Sequence, residues 1–334
     1  MTNNALSVDV SVSDPFRALC KVREEFIFVF SGFNDQKLFS CECLDIQRGV
    51  WREISSIGRP RTKFSAVPIS KSRILLFGGK QMDGQRTGEI EEYNLKTNKF
   101  KLLPFKMPKP RSGFAACVKK EEGKIFFCGG NSSSVLRKFD CLDLKKGKWA
   151  KLEEMIQKRD ELAVALGPDG KIYAIGGYGG GGSLPPNSSQ GGDGSTDSKS
   201  QSNCLRTAER YDFATGQWEM LPEMNQARRA LAAVALPDGI YAIGGFDGKH
   251  YLDSVEKFDL HLQKWVQVKS MQKSRCTLAA VASPDCQYIY ALGGFNGNSL
   301  DLVERYDTVS DSWELVSPML SRRFMHEAVA LVTH

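Results

Sequence analysis

The sequence predicts an all-β chain: six four-stranded antiparallel sheets set like blades round one axis, a six-bladed β-propeller. Three observations predict it. Four residue markers recur in the same order six times along the 334 residues. Their period is about 48 residues, the length of one supersecondary unit in a repeat architecture. The runs between markers are rich in β-branched and aromatic residues and bounded by Gly, Asn and Asp, as strands are.

The first marker is a β-rich run ending in two glycines, at Gly79, Gly130, Gly177, Gly245 and Gly294. The first copy ends at Gly32 and has Ser31 for the other glycine. The second is an acidic residue two places before an aromatic or leucine: Glu42/Leu44, Glu91/Tyr93, Asp140/Leu142, Glu209/Tyr211, Glu256/Phe258 and Glu304/Tyr306. A large aromatic follows seven residues later, at Trp51, Phe100, Trp149, Trp218, Trp265 and Trp313. The fourth is an arginine opening an apolar run: Arg61, Arg111, Arg159, Arg228, Arg275 and Arg323.

Each unit reads as four short strands. In the fifth, "RRALAAVALP" is one and "GIYAIGG" the next. "SVEKFDLHLQKW" holds the third, and the segment after Trp265 is the fourth. Asp259 to Lys264 supplies turn residues for a hairpin. "KWAKLEEMIQKRDELAVAL" looks helical alone, but the equivalent "LLPFKMPKPRSG" contains three prolines, which a helix excludes. A lone four-stranded sheet cannot bury both faces; radial stacking does so and leaves few exposed edges. The glycines then allow close backbone approach near the channel, and the aromatics fill the space between blades. The repeated Arg and acidic residue read as a structural ion pair tying each blade to its neighbour.

The chain enters at a second-strand motif, "EEFIFVFSG", and finishes just after a first-strand motif, "RRFMHEAVALVTH". The last strand is therefore expected to complete the first blade and clasp the ring. The alternative first strand is "PFRALCKV". Residues 1–24 read as an N-terminal tail, and 25–334 as the propeller. Unit four carries a Gly/Ser/Asn/Pro insert, about 179–203, too poor in apolar residues to bury a core. It reads as a spacer, or more sharply as a flap over the mouth.

The double glycines, spaced aromatics and wide period resemble the kelch repeat from about Phe26 onward. Departures are Ser31, Leu44, Leu142 and Phe100. The resemblance implies a non-catalytic protein-interaction module. Many kelch-like proteins pair such a propeller with a BTB domain and recruit substrates to a cullin ubiquitin ligase. With about 25 residues ahead of the propeller, this chain would be an excised domain or a propeller that borrows its effector. Alternatives are an enzyme or sugar-like small-molecule binder at the channel mouth, and a cytoskeletal scaffold binding through its rim.

Composition narrows these. The net charge of +6 is mild and reads as scattered, without the basic block that nucleic acid demands. No apolar run approaches a membrane span, and the start lacks a secretory signal. Nine cysteines without disulfide spacing suggest a reducing cytoplasm; the sequons at Asn131 and Asn187 matter only if the protein is secreted. The glycine pairs lack the Lys-Ser/Thr of a phosphate loop. His250, His261, His326 and His334 form no ligand pair, and Cys41 and Cys43 lack a completing pair, so no metal, cofactor or catalytic residue is expected.

Repetition fixes a frame, and variation within it writes a surface. The residue after each glycine pair is expected at one channel mouth: Phe33, Lys80, Asn131, Tyr178, Phe246 and Phe295. The residue after each arginine joins it: Thr62, Ser112, Asp160, Arg229, Cys276 and Phe324. The next position gives Lys63, Gly113, Glu161, Ala230, Thr277 and Met325. In kelch domains that resemble this one these loops contact a peptide or protein. The aromatics with Lys63, Lys80 and Arg229 would lead, since aromatics and arginine dominate interface energetics. Asp160, Glu161 and Asp247 make the charge of the mouth mixed.

Overall fold

The computed structural model describes residues 24–180 and 203–333. Most of the tail, the "PFRALCKV" alternative, the body of the insert and Asn187 lie outside those residues. Among the described residues there are six four-stranded antiparallel sheets and no helix. "KWAKLEEMIQKRDELAVAL" forms the strands Lys148–Lys151 and Ala163–Leu166.

Blade one joins Glu25–Phe30, Cys41–Asp45 and Val50–Ile54 to the C-terminal strand Glu327–Val332. The clasp is therefore formed, in register from Glu25↔Val332 to Phe30↔Glu327. The other innermost strands are Ser65–Ser70, Ala115–Lys119, Ala163–Leu166, Ala232–Leu236 and Ala279–Ala282. They line a central cavity of about 310 Å³. In blade five the fourth strand is Lys264–Val268, so it contains Trp265 rather than following it.

The seven-residue marker spacing is a hairpin register. Tyr306 faces Trp313 across adjacent strands, Phe258 faces Trp265, and Leu44 faces Trp51. Each apolar cluster spans two blades; one unites Tyr173 and Ile175 with Ile240, Phe258 and Trp265. Four tryptophans also stitch blades through the indole N–H. Trp218 donates to the Glu153 carbonyl at 2.9 Å and Trp265 to the Pro222 carbonyl at 2.9 Å.

The glycine pairs serve the seam between blades more than the channel. Gly177 N–H donates to the Arg228 carbonyl of the next blade at 2.7 Å, and Gly245 N–H to that of Arg275 at 2.9 Å. A Cβ on Gly176 would lie 2.4 Å from the Arg228 carbonyl oxygen, and its φ is +59°. Ser31 holds the same left-handed conformation, at φ 51°. There the hydroxyl makes the inter-blade bond, donating to the Arg61 carbonyl at 2.9 Å. A side chain is tolerated because its oxygen satisfies the group it approaches.

The buried ion pairs lie within a blade, not between neighbours as expected. Arg159 meets Glu209 at 2.8 Å, Arg228 meets Glu256 at 3.0 Å, and Arg275 meets Glu304 at 2.8 Å. In each pair the arginine precedes the innermost strand and the glutamate sits on the third strand of the same sheet. The neighbour enters through backbone: Glu256 also accepts the N–H groups of Asn225 and Gln226 on the incoming crossover, at 2.7 and 3.2 Å. A carboxylate so engaged fixes the guanidinium and the connection together.

The clasp strand departs from the other five at its start. Phe64, Phe114, Leu162, Leu231 and Leu278 are matched by buried His326, and Ser65, Ala115, Ala163, Ala232 and Ala279 by Glu327. Neither His326 ring nitrogen has a hydrogen-bond partner of normal geometry. Burial, then Arg323 and Arg275, hold the imidazole pKa well below its ordinary value, so the ring is neutral. Burial alone pushes the Glu327 carboxyl up from 4.5 to about 8. Its neutral form is the one the fold accepts. Stability linked to it is whole below pH 4.5 and is lost as pH rises through 8. Glu327→Gln is therefore expected to raise Tm at pH 8.5 and leave it nearly unchanged at pH 4.5, by scanning fluorimetry. Equal shifts at both pH values would show that the charge is not what costs stability there.

Candidate functional site

The loops at one end of the channel turn the predicted variable positions into a ladder. In every blade the residue after the arginine bridges the residue after the glycine pair: Phe324 with Phe33, Thr62 with Lys80, Ser112 with Asn131, Asp160 with Tyr178, Arg229 with Phe246, and Cys276 with Phe295. A third rung continues outward at Lys37, Arg86, Val135, Cys204, Tyr251 and Ser299. The sequence reading missed this rung. It lies four to six residues beyond the second in five blades and 26 beyond it across the insert in blade four, and a marker of variable spacing escapes a search for fixed register.

Inside the ladder, Lys63, Gly113, Glu161, Ala230, Thr277 and Met325 form a closed ring. All six have φ between 51° and 67°. Each N–H donates to the carbonyl at the same position of the preceding blade: Gly113 to Lys63 at 2.9 Å, Glu161 to Gly113 at 2.8 Å, Ala230 to Glu161 at 2.8 Å. Thr277 to Ala230 at 2.7 Å, Met325 to Thr277 at 3.0 Å and Lys63 to Met325 at 3.4 Å complete the circle. Left-handed backbone costs a non-glycine residue stability, and the inter-blade bonds offset it. The cavity at this level is only about 90 Å³. The ring gives the mouth a floor.

On that floor the side chains sort into sectors. From blade five to blade one runs an aromatic arc. Phe246 and Tyr251 lie 5.4 Å apart between ring centroids, Tyr251 and Phe295 5.8 Å, Phe295 and Phe324 4.9 Å, and Phe324 and Phe33 5.4 Å. The Arg229 guanidinium sits over Phe246 at 5.3 Å and near Tyr178 at 5.8 Å. Such spacings suit edge and tilted packing, and stiffen rings that remain half exposed.

Blades two and three carry the opposite character. Arg86 Nη2 donates to Asn131 Oδ1 at 2.7 Å, and Lys37 Nζ reaches the Gln81 carbonyl. Burial first, then the like charges of Lys63 and Arg86, depress the Lys80 pKa. Across the opening Glu161 pairs with Lys63, and with Arg229 at 3.6 Å. Burial, with the Glu161 charge behind it, lifts the Asp160 carboxyl to about 6.

The structure thus brings Phe33, Lys80, Asn131, Tyr178, Phe246, Phe295 and Phe324 together with Lys63, Asp160, Glu161, Arg229, Thr277 and Met325. Thr62 and Ser112 stand in the same ladder, but at 5% and 2% exposure they hold loops rather than offer surface. The charge is not scattered as composition suggested: residues 96–151 hold fifteen Lys and Arg against four Asp and Glu. Much of that excess lies on the outer rim of blades two and three, beside exposed Leu102 and Phe105. Among the described residues no three His, Cys, Asp or Glu are grouped to hold a metal, and no helix is long and apolar enough to cross a membrane.

A family model of the Kelch motif matches residues 191–225, 227–272 and 275–320. Kelch-like protein 41a of Danio rerio is 30% identical over 159 residues, 46% of this chain and 26% of that protein. Kelch repeat-containing protein kel-10 of Caenorhabditis elegans is 27% identical over 183 residues, 53% of this chain and 28% of that protein. Kelch-like protein 23 of Homo sapiens is 22% identical over 148 residues, 44% and 22% respectively. The chain thus spans about a quarter of the length of the curated relatives it matches.

Proposed function

This chain is a kelch-repeat β-propeller resembling the kelch-like proteins, and from that premise we propose that it is a non-catalytic recognition module whose peptide or protein ligand seats on the channel mouth. The aromatic arc carries the reading. Half-exposed, mutually braced rings on a rigid floor lose little side-chain entropy on binding, which makes them interface anchors. The hydrogen-bonded ring narrows the channel beneath them, so the mouth offers breadth rather than an enclosed pocket. We place the module in the reducing cytoplasm as the substrate-recognition part of a ubiquitin-ligase adaptor, joined to a cullin through a BTB domain that is not part of this sequence. Resemblance to kelch-like adaptors supports that placement.

Phe246→Ala with Phe295→Ala tests the mouth. Each truncation is expected to cost about 2 kcal/mol of binding, while Tm moves little. The measurement is affinity capture with the intact chain and the double variant side by side. Capture unaffected by the substitutions removes the ligand from the mouth. The basic rim favours a second reading, a scaffold contact there: capture that survives the mouth variant but is lost on Lys101→Glu with Lys106→Glu assigns the partner to the rim.

A further inference from the structure

Away from the mouth, blades four to six repeat one pairing of their second and third strands. Tyr173 faces Arg210, Tyr241 faces Lys257, and Tyr290 faces Arg305. Arg210 spans the seam to blade five, where its Nη1 donates to Gln263 Oε1 at 2.8 Å. In blades four and six a fourth-strand glutamate then answers the arginine: Glu219 pairs with Arg210, and Glu314 meets Arg305 Nε at 2.7 Å. Blade three has Cys141 in place of the cation, facing Phe126. There Phe213 of blade four fills the seam, 5.0 Å from Phe126 between ring centroids, with the Lys119 ammonium 4.4 Å from its own ring.

Blade one has neither filling. Cys43 faces Phe28, and the residue of blade two that matches Phe213 is the smaller Leu95. The seam between blades one and two stays open as a cleft of about 380 Å³, whose lining includes Phe26, Phe28, Tyr93 and Leu95. The charge order is reversed as well, since the cation stands on the fourth strand as Arg52, opposite Cys43. Among the described residues no carboxylate pairs with it. Its guanidinium lies 5.4 Å from the Phe26 ring centroid and beside the Cys43 thiol, which burial pushes up to about 11 and so keeps neutral. Lys71 and Lys96, both exposed, edge the same cleft and form no ion pair among the described residues. Strand alternation turns the Glu53 side chain to the other face of the sheet with its cross-strand neighbour Glu42. That leaves Glu24 as the acid on the cleft wall, against three cations.

We propose that this cleft is a small-molecule site for an aromatic carboxylate, with the acid received by Arg52 and the ring set against Leu95 and the edge of Phe26. Such a ligand supplies both things this seam lacks beside its neighbours: a flat apolar body where blade four inserts Phe213, and a carboxylate where blades four and six offer Glu219 and Glu314. Arg52 is exposed, and its planar donor edge is the geometry a carboxylate accepts. Lys71 and Lys96 raise the potential at the entrance and draw anions to it. The site is separate from the mouth. Hairpin turns at 70–73 and 94–99 edge it, whereas the mouth is built at the opposite ends of the same strands.

The test titrates 2-naphthoate and its neutral amide into the intact chain, read by saturation-transfer NMR. The acid is expected to bind saturably and about tenfold more tightly than the amide. Arg52→Gln should remove that advantage and leave the amide unchanged. Leu95→Phe, which copies Phe213, should abolish binding of both, and Phe246→Ala with Phe295→Ala at the mouth should alter neither. Scanning fluorimetry checks that the variants fold; should Leu95→Phe lower Tm, Arg52→Gln at its exposed position still decides. Acid and amide bound equally, acid binding that Arg52→Gln leaves intact, binding lost only in the mouth variant, or no saturable binding at all would each overturn the inference.

Discussion

Arg228→Met destabilises the propeller by about 3–5 kcal/mol, the range found when one partner of a buried ion pair is removed. The side chain is fully buried, and its nitrogens serve several acceptors at once. Nη1 donates to the Gly244 and Ser254 carbonyls at 2.9 and 2.7 Å, and Nη2 to Ser254 Oγ at 2.9 Å and Glu256 at 3.0 Å. Methionine fills comparable length but leaves the Glu256 carboxylate buried and facing only backbone N–H groups. It also strands the Gly244 carbonyl, while the Ser254 carbonyl keeps the Gly244 N–H at 3.2 Å. The companion change, Glu256→Leu on top of Arg228→Met, is expected to recover part of the loss, because the uncompensated charge then disappears. Urea midpoints at constant m measure both variants. A single-variant loss below about 1 kcal/mol would reduce the clip to an ordinary contact.

Removal of residues 325–334 abolishes the closed ring. The deletion takes away the strand Glu327–Val332, and with it six paired positions on Glu25–Phe30. Met325 goes too, interrupting the circle of backbone bonds at the mouth. Blade one then exposes the apolar strand Glu25–Phe30 as a long edge, and the clusters around Val329 and Leu331 lose their cover. Such an edge pairs with other chains. Loss of the cooperative thermal transition and a shift to aggregates in size-exclusion chromatography are expected. A truncated chain that stays monomeric with an unchanged Tm would mean the ring closes by some other strand.

The blades were legible because each marker reports a local rule. Glutamate to tyrosine to tryptophan is a hairpin register, and a glycine pair is a backbone that must pass close to a carbonyl. The clasp was legible for the same reason: a first-strand motif at the end of the chain needs a blade that lacks one. Partnership was harder. Arg159 and Glu209 are fifty residues apart, and nothing in that spacing says whether they share a sheet; the pairs were assigned between blades and lie within them. At the mouth the frame of positions was legible but not the fate of each side chain. Thr62 and Ser112 hold equivalent rungs to Arg229 and Phe324, yet burial separates them. Lys37, Arg86 and Tyr251 went unseen because loop length, unlike strand period, is not constrained.

Sequence alone determined the number of blades, the order of strands and the closure of the ring, since all three follow from periodic local pattern and the need to bury both faces of every sheet. Only the tertiary structure decided which charges neutralise one another across the mouth. Lys63 and Glu161 meet over ninety-eight residues of chain, and distance in space, not in sequence, sets the Coulomb energy that pairs them and leaves Lys80 without a mate.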